Sequence, residues 1–347
     1  MGKRVVYFDV LNILACFCVI CLHCNGIVHT YTQTSAWAQS LAVEVICYWA
    51  VPIFFMLTGA TLMNYRSKYD TKTFFGHRIK RTVIPFLFFS VFMYILYVYE
   101  FKTLKPITSV RAFADAVFNC KILPVYWFFI PLFAVYLALP VLSRLLENRK
   151  TLWYLFWTAF TTVSLLPFLC SVLKIRYNMA FSLPVAAGYV IYVILGYLLS
   201  TCELSRRTRG LVYIGGLLAV LGRYLGTFFL SKRDGTLNQL FFGYTSIFGV
   251  GLAAAVFIFF KQLPFDRLAQ KLEEKGIPAT RWTAFISSCS FGIYLIHIAV
   301  MSMVQKQHSV NISGWKWRLL GPVLVYVICL VIIGVLKKIP GVKRLIP

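Results

Sequence analysis

The sequence is short of charge, and shorter still of acid. Only 13% of its 347 residues are charged, and 35 Lys and Arg stand against 11 Asp and Glu. A soluble domain carries about 25% charged residues and about 45–50% apolar ones. Here 60% of residues are hydrophobic and the mean hydropathy is +0.76. That leaves too little polar surface to cover a water-soluble particle of this size. Also lacking is a ladder of cysteines in a loop: the ten cysteines fall mostly inside apolar runs, which excludes a disulfide framework. Cys16, Cys18, Cys21 and Cys24 flank His23, but a single helix cannot wrap four ligands around a tetrahedral ion, so no metal is expected. No small-residue cleavage site follows the first apolar run. That run also carries Asp9, Asn12 and His23, which a cleavable signal does not need. No internal repeat is evident.

What is present is a series of apolar runs, each near the roughly 20 residues that a bilayer crossing needs. They cover 5–25, 41–63, 82–99, 124–142, 152–173, 180–200, 210–230, 240–260, 283–304 and 319–336. The expected fold is all-α: a polytopic membrane bundle of about ten transmembrane helices, one domain over 1–347 with no separate soluble part. Loops on one side of this pattern, with the N-terminus and the tail, hold 23 of the 35 basic residues, and the other side holds 11. The richer side is expected to be cytoplasmic, with both termini there. The same pattern accounts for the net charge of +24, because the basic residues lie in short loops facing lipid headgroups. Nucleic acid is therefore not an expected partner. The loop 261–282 mixes both signs of charge and suits a short interfacial helix.

Charged and titratable groups inside a membrane span cost at least about 2.5–3.5 kcal/mol each, so those that remain are candidates for function. They are Asp9, His23, Glu44, Arg223 and His297. Asp9 starts the first span on the basic side. His23 follows fourteen residues later, about 21 Å along a helix. The alternation places His23, Glu44, Arg223 and His297 at one level in the outer half, consistent with a shared polar cavity. On the basic side Arg78 and Arg81 are three apart, a spacing that sets two guanidiniums on one helix face and suits phosphate recognition. A transporter and a membrane-embedded transferase both fit these features.

Five stretches in order carry a resemblance. They are FDVLNILACFCVICLH (8–23), AVPIFFMLTGATL (50–62), Arg78-Ile-Lys-Arg81 followed by Pro85, YWFFIPLFAVYLALPVL (126–142) with Trp127, Tyr136 and Pro140, and FGIYLIH (291–297). Together the sequence resembles the acyltransferase family 3 membrane proteins. Its pattern is closest to the subgroup that includes the enterobacterial common antigen O-acetyltransferase. Two positions depart from the family pattern: Asn12 stands where relatives carry Arg, and Pro124, Val125 and Tyr126 precede Trp127 where many carry a His.

The resemblance implies transfer of an acetyl or other short acyl group from cytoplasmic acetyl-CoA or another acyl-CoA. The acceptor would be a hydroxyl of a cell-surface glycan or glycolipid precursor, and the site the cell (plasma or inner) membrane. The donor would be a substrate, with no permanently bound cofactor. His23 would act as general base or as nucleophile, with Glu44 and Asp9 as further catalytic candidates. Arg78 and Arg81 would hold the donor phosphates. Arg223, Trp127 and His297 would meet the acceptor or a developing oxyanion. The competing expectations are a transporter of an anionic or acylated glycan precursor and a non-catalytic membrane subunit, the latter favoured by Asn12. Oligomeric state is not readable from composition.

Overall fold

The computed structural model describes residues 4–181, 187–308 and 310–346. Every regular element among them is helical. The α-helices are α1 (Val6–Cys24), α2 (Ser35–Cys47), α3 (Ala50–Leu62), α4 (Thr71–Arg78), α5 (Ile84–Ile95), α6 (Val110–Phe118), α7 (Phe129–Leu142) and α8 (Arg149–Ala159). They continue with α9 (Leu166–Val172), α10 (Val190–Thr201), α11 (Arg206–Asp234), α12 (Ile247–Gln262), α13 (Phe265–Glu274), α14 (Ala279–His308) and α15 (Trp315–Leu336). Short π-helical turns join α4 to α5 and α8 to α9, so each pair runs as one rod. The chain is a multi-pass membrane bundle: nine helical stretches among the described residues are long and apolar enough to cross a bilayer.

Nine of the ten expected crossings coincide with these stretches. The sixth differs. Its helix, α10, has 12 residues, about 18 Å at 1.5 Å per residue, against a hydrocarbon core of about 30 Å. Part of the expected segment, 182–186, lies outside the described residues. Helix α10 is enclosed by protein, with nine of its residues buried. Two glycines allow this. A Cβ on Gly59 would sit 1.9 Å from the Val193 carbonyl oxygen, and one on Gly196 would sit 2.1 Å from that of Met56. Only hydrogen fits where α3 and α10 touch backbone to backbone, the close approach that small residues permit between membrane helices.

Sequence explains where helices start. Thr34, Asp70, Ser109, Asn148, Ser205 and Ser246 each accept a hydrogen bond from a backbone N–H in the first turn of the helix that follows. Each such cap typically stabilises a helix by about 1 kcal/mol. The expected loop helix at 261–282 is α13.

The helices are inside-out relative to a soluble protein. On α11 the buried positions are Gly216, Ala219, Arg223, Thr227 and Ser231, a small and polar stripe at helical spacing. The opposite face exposes Leu211, Leu217, Leu218, Leu225 and Phe229, a surface that suits lipid. Helices α1 and α14 run side by side in the same direction. Asn12 donates to the Ser287 carbonyl (2.9 Å), and the His23 and His297 rings lie 5.1 Å apart. Lys337, just past α15, donates to the Ser288 carbonyl (2.7 Å). The start of α1 and the end of α15 are therefore level, at the end of the bundle rich in Lys and Arg, called here the basic end.

Candidate active site

Two cavities lie along the bundle axis. The one remote from the basic end has a volume of about 170 Å³. His23 reaches it from the last turn of α1, Glu44 from α2, and Tyr294 from α14, while His29, Tyr48, Trp127 and Tyr244 complete its polar and aromatic wall. The turn after α1 is pinned in place. Asn25, fully buried, donates to the Ser40 carbonyl (2.8 Å), and the Trp37 indole donates to the Val28 carbonyl (3.1 Å). These bonds fix α1, the 26–29 turn and α2 as one unit, which sets His23, His29 and Glu44 around a common space.

Behind His23 stands His297, fully buried. Its Nδ1 donates to the Tyr294 carbonyl at 2.7 Å, and its Nε2 has no partner among the described residues. Glu44 shares the cavity with His23 but makes no hydrogen bond to it. Its Oε2 is buried and has no partner among the described residues. His29 sits at the cavity mouth, outside the spans, and partial burial pulls its pKa below the ordinary histidine value.

Arg223 is beside this cavity rather than in its wall. It is 1% exposed, and none of its three guanidinium nitrogens has a hydrogen-bond partner among the described residues. Its Cζ lies 3.2 Å from the centroid of the Tyr48 ring and 4.9 Å from that of Phe242. The expected contact of Arg223 with an acceptor or oxyanion is thus screened by two aromatic rings. Cation–π attraction supplies about 2 kcal/mol in a desolvated setting. Burial of an ion costs several kcal/mol, so the position is expensive for the fold.

The second cavity, about 320 Å³, opens at the basic end. Asp9, Asn12, Thr58, Thr61, Arg78, Tyr136 and Ser287 supply its polar groups. Asp9 is therefore not a neighbour of His23. It forms a two-point ion pair with Arg4 (2.6 and 2.8 Å), whose hydrogen bonds raise the Arg4 pKa. Asn12 is tied to α14 through Ser287. Arg78 leans on the rings of Phe74 and Tyr136 at 5.7 Å each, and its Nε is buried without a partner among the described residues. Arg81 is exposed and does not line the cavity. The physical reason is the π-helical turn Ile79–Val83: its wider winding carries Arg81 off the face that Arg78 occupies.

Phe54 and Phe128 line both cavities. Their rings meet edge to face at 5.9 Å and form the divide between them. Sequence reading passed over these two, along with His29 and Tyr48, because aromatic residues are 17% of the chain and His29 falls between spans. Among the described residues no three His, Cys, Asp or Glu side chains are grouped to hold a metal ion.

No curated protein and no solved structure matches the chain. One family model does, described as an acyltransferase domain, and the match runs over residues 5–336, nearly the whole chain. It takes in every residue that lines either cavity, and on that match the chain belongs to acyltransferase family 3 and is a membrane acyltransferase.

Proposed function

We propose that the protein moves an acetyl or other short acyl group from cytoplasmic acyl-CoA to a hydroxyl of a glycan or glycolipid precursor. The acceptor would be held at the opposite face of the cell membrane. The observation that carries this reading is the pair of cavities that meet at Phe54 and Phe128, one with Arg78 at the basic end and one with His23 at the far end. The basic end is the cytoplasmic one by the charge rule for membrane proteins.

Arg78 holds donor phosphate as a charge-assisted partner, and the thioester arm extends toward the phenylalanine divide. His23 takes the proton of the acceptor hydroxyl, the C–S bond of the thioester breaks, and an ester C–O bond forms. The thiolate of CoA leaves toward the basic end. Alternatively His23 carries the acyl group briefly as nucleophile. His297, against the back of the His23 ring, restricts its rotation. The aromatic wall of the far cavity suits the apolar face of a sugar ring. The donor is a substrate, and no permanent cofactor takes part.

The test is CoA release by purified protein in lipid nanodiscs, with acetyl-CoA as donor and a panel of glycans, plus water alone, as acceptors. Release that one glycan accelerates and that His23→Ala removes supports the reading. Release unaffected by His23→Ala, or saturable glycan export without CoA release, contradicts it.

A further inference from the structure

We propose that Arg223 is a positioning residue that never touches substrate: it clamps the aromatic wall of the far cavity from behind. The inference rests on the acyl-transfer reading for its functional part and on geometry for the rest.

Four groups stack in sequence. The guanidinium of Arg223 covers one face of Tyr48. The Tyr48 ring stacks on Tyr244, with centroids 4.1 Å apart and planes at 10°. Tyr244 in turn stacks on Trp127 at 5.6 Å and 26°. Tyr48, Tyr244 and Trp127 all line the cavity, and Arg223 does not. The Tyr48 hydroxyl donates to the Phe242 carbonyl, which closes the stack at its outer edge. The wall that would receive a sugar ring therefore ends on a buried cation. A planar guanidinium suits this place, because it stacks on an aromatic face as an ammonium cannot.

Arg223 and Glu44 form no direct hydrogen bond, and each has buried polar atoms without a partner among the described residues. A variant that removes both groups therefore tests the stack apart from any contribution of Glu44.

The experiment uses the full chain in nanodiscs, with Arg223→Met, Arg223→Lys and the double variant Arg223→Met/Glu44→Gln. Acetyl-CoA is the donor and chitotriose the acceptor probe. A 19F label on tryptophan, with the Trp127 signal identified by its loss in Trp127→Phe, reports the wall without any need for turnover. The expected result is at least a tenfold rise in acceptor KM for Arg223→Met, with the KM for acetyl-CoA unchanged and the Trp127 signal shifted. Arg223→Lys should keep the charge but not the stack, and shift the signal as well. The double variant should fold at least as well as Arg223→Met and keep the raised acceptor KM. An unmoved Trp127 signal in Arg223→Met, or a wild-type acceptor KM in the folded double variant, would overturn the proposal. If the wild type shows no transfer, the functional reading fails while the 19F comparison still decides the positioning role.

Discussion

The two cavities differ in how their charges are neutralised. At the basic end Asp9 is matched atom for atom by Arg4, and Arg78 rests on two aromatic rings near the mouth. At the far end Glu44, Arg223 and His297 are buried, and each keeps polar atoms without a partner among the described residues, as the Arg78 Nε does at the basic end. The Asp9–Arg4 pair costs the fold little, whereas buried polar groups without a partner are expensive, and more of them lie at the far end. On the proposed reading the basic end grips the donor and the far end carries the reaction.

Substitutions should separate the two roles. The largest effect is expected for His23→Ala, which should lower the transfer rate by about 10²–10⁴-fold, the usual reach of a general base. Steady-state assays should find the acyl-CoA KM unchanged in that variant. Arg78→Ala should do the reverse. It should raise the acyl-CoA KM about tenfold, equivalent to about 1.4 kcal/mol, with the rate constant little changed. Arg81→Ala, exposed beyond the π turn, should leave both parameters close to wild type in the same assay. Equal effects at the two arginines would break the distinction between them.

Phe128→Ala tests the divide itself. Opening it should let water reach the thioester, so acyl-CoA hydrolysis without acceptor should rise severalfold in a CoA-release assay. The smallest effect concerns His29. Its folded-state pKa is lowered, so folding resists its protonation. Its neutral form contributes stability that is fully present above the ordinary value of about 6.5 and is lost as pH falls through the lowered value. Thermal unfolding in nanodiscs between neutral pH and pH 4 should show this loss in the wild type, and a flatter profile in His29→Asn.

Much of this was legible in the sequence. Apolar run length located nearly all crossings, because the bilayer sets one length scale for every helix. It overran the helix of the sixth: α10 has 12 residues and is enclosed by protein, and burial on all sides reads in composition like a lipid-facing span. Depth counting brought His23, Glu44, Arg223 and His297 to one level, as the structure does, since helix rise is constant. It could not tell that Arg223 points into the back of Tyr48 rather than into the cavity. Asp9 was grouped with His23 as catalytic, although the same count sets them about 21 Å apart. The pairing of Arg78 with Arg81 assumed regular α-helix, and the π-helical turn between them has no counterpart in a spacing rule.

The central claim is transfer across the membrane, and proteoliposomes test it most directly. Acetyl-CoA carrying a labelled acetyl group is supplied on the side of the basic end alone, with a responsive glycan confined to the other side. The account predicts labelled glycan on the far side and free CoA on the donor side, both lost in His23→Ala. Labelled glycan formed only when donor and acceptor share one side would contradict it.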